Sequence, residues 1–279
     1  MTLQTALRQG TAILEKAAVP VARLTAEVLL CHALRCERAY LFAHGTDELT
    51  ENAWIHYGRY LNERLRGKPT QYITRRQEFF GRDFYVDSDV LIPRPETEHL
   101  VEAAIDFARH SGARTILDVG TGSGAIAVSV AIELGRKVLA SDVSLAALRV
   151  AERNVGTHSA PVALFACDLL AAVRRQSIDL LLSNPPYVPG ADSANMQAEV
   201  RDWEPEVALF AGDTGFEIYR GLIAQAEAVV KPRGRIYLEL GYRSLDGVRE
   251  MLAASWTDFE VISDLAGWPR VIGATLCSP

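Results

Sequence analysis

Apolar and polar positions recur along this chain with two different periods, and the change from one to the other divides it. Over residues 1–69 the period is helical. Leu3, Leu7 and Leu14 form a first stripe, stopped by Val19-Pro20, and Leu24, Val28 and Cys31 form a second. Thr50 is placed to cap a third helix that carries Trp54, Tyr57, Leu61 and Leu65 on one face and ends at Gly67 and Pro69. No glycine loop and no reactive constellation interrupts these stripes. The pattern predicts a small helical bundle that docks a partner rather than one that does chemistry. Residues 70–92 change character, because Phe79-Phe80-Gly81-Arg82-Asp83-Phe84-Tyr85-Val86 is aromatic and β-branched around a central turn signal. A β-hairpin linking two domains is expected there.

From residue 93 to 279 strand-like and helix-like stretches alternate. Strands are expected over 115–119, 137–141, 162–166, 178–183 and 235–240. Helices are expected over 98–110 (with Thr97 as its cap), from Ala125 to about 134, over 144–155 (capped by Ser144), and near 216–230 and 244–254. Repeated βα units predict an α/β domain with a parallel sheet and helices on both faces. Two strand-like stretches close the chain, near 258–263 and 270–277, with no helix between them. They predict an antiparallel pair at one edge.

Composition narrows the function less than the pattern does. The 279 residues are 49% apolar and 23% charged, ordinary for a globular protein, and long enough for one large and one small domain. A net charge of −6 argues against DNA or RNA as the main partner. Arg64, Arg66, Lys68, Arg75, Arg76 and Arg82 form a local basic cluster, read here as a solvated helix end and hairpin. Cys31, Cys36, Cys167 and Cys277 make no C-x-x-C pair and share no metal spacing with the scattered histidines, so no metal is expected. No apolar run approaches the roughly 18 residues of a membrane span, and no signal pattern opens the chain. A cytoplasmic protein with no membrane partner is expected, and a monomer suffices.

Candidate chemistry sits at the ends of the predicted strands. Gly120, Gly122 and Gly124 follow the first of them, where a glycine loop lets the backbone turn tightly and approach a ligand. This is not a phosphate-binding P-loop, because no Gly-Lys-Ser/Thr follows; it fits a dinucleotide fingerprint through Gly120, Gly122 and Ala125. Three acids accompany it. Asp118 precedes the loop and can order it or accept from a ligand ammonium. Asp142 ends the second strand, where a ribose-binding acid is expected in both NAD and S-adenosylmethionine sites. Asp168 ends the third, placed to accept from an adenine amino group with Leu169 beside the ring. Asn184-Pro185-Pro186-Tyr187 follows the fourth. Two prolines fix the backbone and remove its donors, leaving the Asn184 side-chain carbonyl and the backbone carbonyls of Pro185 and Pro186 as a stiff acceptor edge beside an aromatic face. Such an edge suits a planar NH2 group.

Asp118 to Gly124 resembles the Asp-x-Gly-x-Gly-x-Gly motif of the seven-stranded, Rossmann-like class I methyltransferases. Together with Gln71 to Val86, the Ile92-Pro93-Arg94-Pro95-Glu96-Thr97-Glu98 segment, Asn184 to Tyr187 and Val200 to Pro205, the chain resembles the protein-(glutamine-N5) methyltransferases of peptide chain release factors over nearly its whole length. The resemblance implies S-adenosylmethionine held by Asp118, Gly120, Thr121, Gly122, Ser123, Gly124, Asp142, Asp168, Leu169 and Asn184. It also implies a release-factor glutamine held by Asn184, Pro185, Pro186 and Tyr187. Phe79 or Phe80 is a candidate to complete an apolar slot, and Glu239, at the end of its strand, is a further candidate to touch the amide. Leu169 is a departure, since some relatives carry Trp there. Methylation of a ribosomal-protein glutamine, a nucleic-acid amino methyltransferase and a dinucleotide enzyme are the alternatives. The last leaves Asn184 to Tyr187 unexplained.

Overall fold

In the computed structural model, which describes residues 1–278, the chain forms two compact units. Met1–Arg76 and Gln197–Trp203 make one, and Gln77–Met196 with the chain from Glu204 onward makes the other.

The first unit is helical: α1 (Leu3–Lys16), α2 (Ala22–Leu34), α3 (Arg38–Ala43), α4 (Glu51–Leu65) and α5 (Thr70–Thr74), with α9 (Ala198–Trp203) from later in the chain. Thr50 caps α4 as its position implies, accepting from the Ala53 N–H. The buried faces are rotated from the expected stripes. In α2, Ala26, Leu29, Leu30 and Cys31 are buried while Leu24 is 40% exposed; in α4, Tyr57 and Leu61 are buried while Trp54 and Leu65 face outward. Small residues set this rotation. Gly10 of α1 lets the Tyr57 ring approach so closely that a β-carbon there would sit 1.9 Å from its hydroxyl. Residues 70–76, expected in the linker, instead belong with these helices, Thr70–Thr74 as α5. Nor is the basic cluster an open field. Arg64 is buried against Glu199, Lys68 pairs with Glu63 at 2.6 Å, and Arg82, in the other unit, pairs with Glu133 at 2.6 Å.

The second unit opens on a short hairpin, β1 (Gln77–Phe79) and β2 (Arg82–Phe84). Then follow α6 (Glu98–Ser111), β3 (Ile116–Val119), α7 (Ala125–Leu134), β4 (Val138–Asp142), α8 (Leu145–His158), β5 (Val162–Ala166) and β6 (Ile178–Ser183). The chain closes with α10 (Glu206–Leu209), α11 (Glu217–Val229), β7 (Val230–Glu239), α12 (Leu245–Leu252), β8 (Trp256–Ser263) and β9 (Pro269–Leu276). The seven-stranded sheet has the order β5-β4-β3-β6-β7-β9-β8, and β9 runs antiparallel to both of its neighbours. Buried apolar clusters cover the two faces. Leu180, Leu182 and Tyr237 meet α6 and α7 on one face; Leu181, Ile236 and Leu238 meet α11 and α12 on the other. Toward the carboxyl ends of β6 and β7 this alternation decides which side chains beyond the strands share a face. Among the described residues no helix is long and apolar enough to cross a membrane, and no group of metal-ligating side chains converges.

Candidate active site

Sheet register gathers the predicted strand-end residues into one crevice. Val119 of β3 pairs with Ser141 of β4 and with Ser183 of β6, so Gly120, Asp142 and Asn184 leave the sheet side by side. Asp142 pairs in turn with Ala166 of β5, which brings Cys167 and Asp168 to the same edge. The chain moves outward from β3 through β4 to β5, then returns to the other flank of β3 as β6. The crevice therefore lies where the strand order reverses, at the carboxyl ends of the strands. Gly120, Thr121, Gly122, Ser123, Asp142, Asp168, Leu169, Asn184, Pro185 and Pro186 all line it.

The glycine loop is held by the acids beside it. Asp142 accepts from the Gly122 N–H and the Ser144 N–H, both at 2.9 Å, so one carboxylate braces both the loop and the start of α8. Burial pushes its pKa up. Asp118 is fully buried and is not on the crevice wall; it accepts from the Thr121 hydroxyl at 2.6 Å and orders the loop from beneath. Burial raises its pKa to about 7. Gly124 also lies behind the wall, where a β-carbon would press on Ala151 at 3.4 Å; its glycine serves the packing of α7 against α8. Asp168 presents an exposed carboxylate, with Leu169 beside it in a left-handed conformation (φ 48°).

At the acceptor edge, Asn184 is half-buried and Pro185 buried. Among the described residues no protein donor bonds the Asn184 Oδ1 or the Pro185 carbonyl, whereas the Asn184 Nδ2 donates to the Thr97 hydroxyl at 3.3 Å. Tyr187 is not on the crevice wall. Its ring lies over Gly241, where a β-carbon would meet it at 2.7 Å, and burial raises its pKa. The Tyr219 hydroxyl holds that turn, donating to the Glu239 carbonyl at 2.6 Å and accepting from the Gly241 N–H. Two further expectations are corrected. Phe79 is fully buried in the core with its ring edge against Phe84 and does not reach the crevice, because β1 pairs into the hairpin and turns its ring inward. Glu239 also lies off the wall, buried behind Thr97.

The segment before α6 builds one side of the site. Leu91, Pro93 and Thr97 line the crevice. Thr97 is not a side-chain cap: Pro95–Thr97 forms a 3-10 turn, and the Thr97 hydroxyl is committed to Asn184. Arg94 pairs with Glu204, which is almost wholly buried and also accepts from the Ile92 N–H at 3.3 Å. Pro205, Val207 and Ala208, just beyond Glu204, form the facing wall. The two walls are thus linked by one ion pair whose partners lie 110 residues apart, a separation that no local pattern encodes. Arg94→Ala takes one cation away from the buried Glu204 carboxylate. We expect a stability loss of about 1–3 kcal/mol, below the range for wholly buried pairs because Arg94 is one-third exposed. Urea titration checks it; an unchanged midpoint would show that the pair carries no net stability.

A Rossmann-like seven-stranded sheet with this glycine loop and these strand-end acids defines a class I methyltransferase. Residues 97–200 match the methyltransferase small domain, and residues 5–74 match the PrmC N-terminal domain. A methyltransferase structure from Pyrococcus furiosus shares the fold with a TM-score of 0.54 at 18% identity, covering 72% of this chain and 91% of that one. The hMettl16 catalytic domain, solved with the MAT2A 3'UTR hairpin 6, does so with a TM-score of 0.56 at 18% identity, covering 79% and 84%. The release factor glutamine methyltransferase of Koribacter versatilis is 44% identical over 274 residues, 98% of each chain. That of Chlorobaculum tepidum is 41% identical over 254 residues, covering 87% of this chain and 86% of its own. The chain belongs to the release factor glutamine methyltransferase family.

Proposed function

We propose that this protein transfers a methyl group from S-adenosylmethionine to the side-chain amide nitrogen, N5, of a glutamine in a peptide chain release factor. The crevice fits that cofactor. Gly120 and Gly122 have left-handed φ angles of 72° and 54°, and where their β-carbons would stand there is open space. Asp142 on the crevice wall offers acceptors to ribose hydroxyls, and Asp168 offers them to an adenine amino group flanked by the apolar Val143, Leu169 and Ile218. When bound, S-adenosylmethionine supplies a methyl group on a positively charged sulfur.

The remaining work is positional. A carboxamide nitrogen is a weak nucleophile because its lone pair is delocalised into the carbonyl, and it is too weakly basic to need a base before it reacts. The Asn184 Oδ1 and the Pro185 carbonyl accept its two hydrogens, aim the nitrogen along the crevice and stabilise the positive charge that develops on it. Holding both reactants in this way is worth up to about 7–11 kcal/mol in favourable cases. The observation that carries the reading is the pair of unclaimed acceptors on the two residues past Ser183, beside the glycine loop at the edge of the sheet.

The test is incubation with methyl-labelled S-adenosylmethionine and either a release factor, the same factor with its target glutamine replaced, or DNA. Label is expected in the first alone. Label that persists in the glutamine-replaced factor, or that appears in DNA, would overturn the substrate assignment.

A further inference from the structure

We infer that Thr97 is a positioning residue that decides which end of the Asn184 amide faces the crevice, with the Glu239 carboxylate holding the Thr97 proton; the inference rests on the function proposed above. An asparagine amide has nearly the same shape either way round, but one end is a carbonyl acceptor and the other an NH2 donor. Only the acceptor end holds a substrate NH2 group. Nothing in Asn184-Pro185-Pro186-Tyr187 itself selects it.

The selection comes from behind. The Asn184 Nδ2 donates to the Thr97 Oγ1. A threonine hydroxyl is itself undecided, since it can accept this bond or rotate and donate to Oδ1. Glu239 removes the choice. Ser183 pairs with Leu238, so Glu239 lies level with Asn184 in the sheet, and it follows Tyr237 on the face that α6 covers. Hydrogen bonding to the Thr97 hydroxyl is the leading influence favouring its charged form. An ionised carboxylate only accepts, so it takes the single Thr97 proton. Thr97 then offers only lone pairs to Asn184. Nδ2 must turn toward it, and Oδ1 is left facing the substrate. The Glu239 Oε2 is buried with no hydrogen-bond partner, a costly arrangement that packing alone does not call for.

The arrangement responds to pH. Burial is the largest influence on Glu239 and raises its pKa; Thr97 lowers it, Glu96 raises it, and Arg270 and Arg94 lower it, with the result pushed up to about 7. Tyr187 and Tyr219 are the other titratable groups facing it. Below that pH Glu239 carries a proton and donates, Thr97 is free to donate to Oδ1, and the acceptor end is lost from the crevice. The productive orientation is therefore present above the Glu239 pKa and lost below it.

The experiment compares the full chain with Thr97→Val, Thr97→Ser and Glu239→Gln, using a release factor as substrate. Thr97→Val is expected to lower kcat about 10–100-fold with the KM for S-adenosylmethionine unchanged, and Thr97→Ser to recover most of the loss. The acid limb of kcat in the unaltered protein should be missing from Glu239→Gln. Carbon-13 NMR of the Glu239 carboxyl should titrate with the midpoint of that limb, and Thr97→Val should move the midpoint up. A Thr97→Val kcat equal to the unaltered protein's, a serine variant as slow as the valine one, or an acid limb that survives Glu239→Gln would each overturn the inference. Should Thr97→Val fail to fold, the serine variant and the glutamine pH profile decide. If the unaltered protein methylates no release factor, the proposed function fails, and a carboxyl midpoint unmoved by Thr97→Val would overturn the inference separately.

Discussion

Asn184→Ala should abolish most methyl transfer, by about 10²–10³-fold in kcat, the scale on which removal of one transition-state hydrogen-bonding group acts. The alanine removes the Oδ1 acceptor and leaves the two prolines, and with them the path of the backbone, in place. The Asp142 and Asp168 carboxylates are untouched, so affinity for S-adenosylmethionine should change little. The loss should fall on kcat because the acceptor matters most when positive charge has built up on the substrate nitrogen. Isothermal titration of the cofactor beside steady-state kinetics with a release factor separates the two effects. Turnover at the level of the unaltered protein would remove Asn184 from the mechanism. A collapse of cofactor binding would mean that the side chain serves the cofactor rather than the glutamine.

Asp142→Ala should have the opposite signature. Its carboxylate is the proposed ribose acceptor and also takes two backbone donors, from Gly122 and Ser144. Charge-assisted hydrogen bonds contribute about 1.5–3 kcal/mol each, so loss of the ribose contact alone corresponds to roughly a 10–150-fold weaker Kd. The unbraced glycine loop adds to that. At saturating cofactor, kcat should be largely restored, because the acceptor edge is held from β6 and Thr97 rather than from Asp142. Asp142→Asn should fall between, since it keeps one oxygen but turns an NH2 toward one of the two backbone donors. An alanine variant with unaltered cofactor affinity would exclude Asp142 from the site.

Several features of the site could be read without coordinates because each is encoded within a few residues. Backbone freedom at Gly120 and Gly122, the donor-free path through Pro185 and Pro186, and an acid at the end of each of three strands are local properties. Other assignments depended on which way a side chain points. Phe79 and Tyr187 are aromatics near the right strands, yet one ring fills the core and the other lies over Gly241. In the helical unit, apolar periodicity located the helices but not their buried faces. The close crossing at Gly10 and Tyr57 fixes the rotation, and it involves residues from two helices.

The order of strands and helices, the parallel sheet with its antiparallel edge and the chemical character of the crevice follow from periodicity and short motifs. These are set by backbone geometry and by which faces must be buried, and both act over one element at a time. Folding in three dimensions added the neighbours. It gave Glu204 to Arg94, made Thr97 a partner of Asn184 instead of a helix cap, and set Glu239 behind them both. Strand register sets Glu239 level with Asn184, while Arg94, Thr97 and Glu204 come from segments outside the strands that fold over the crevice. Register joins residues tens of positions apart through backbone hydrogen bonds between strands, so a motif read within one strand does not name its neighbour on the next.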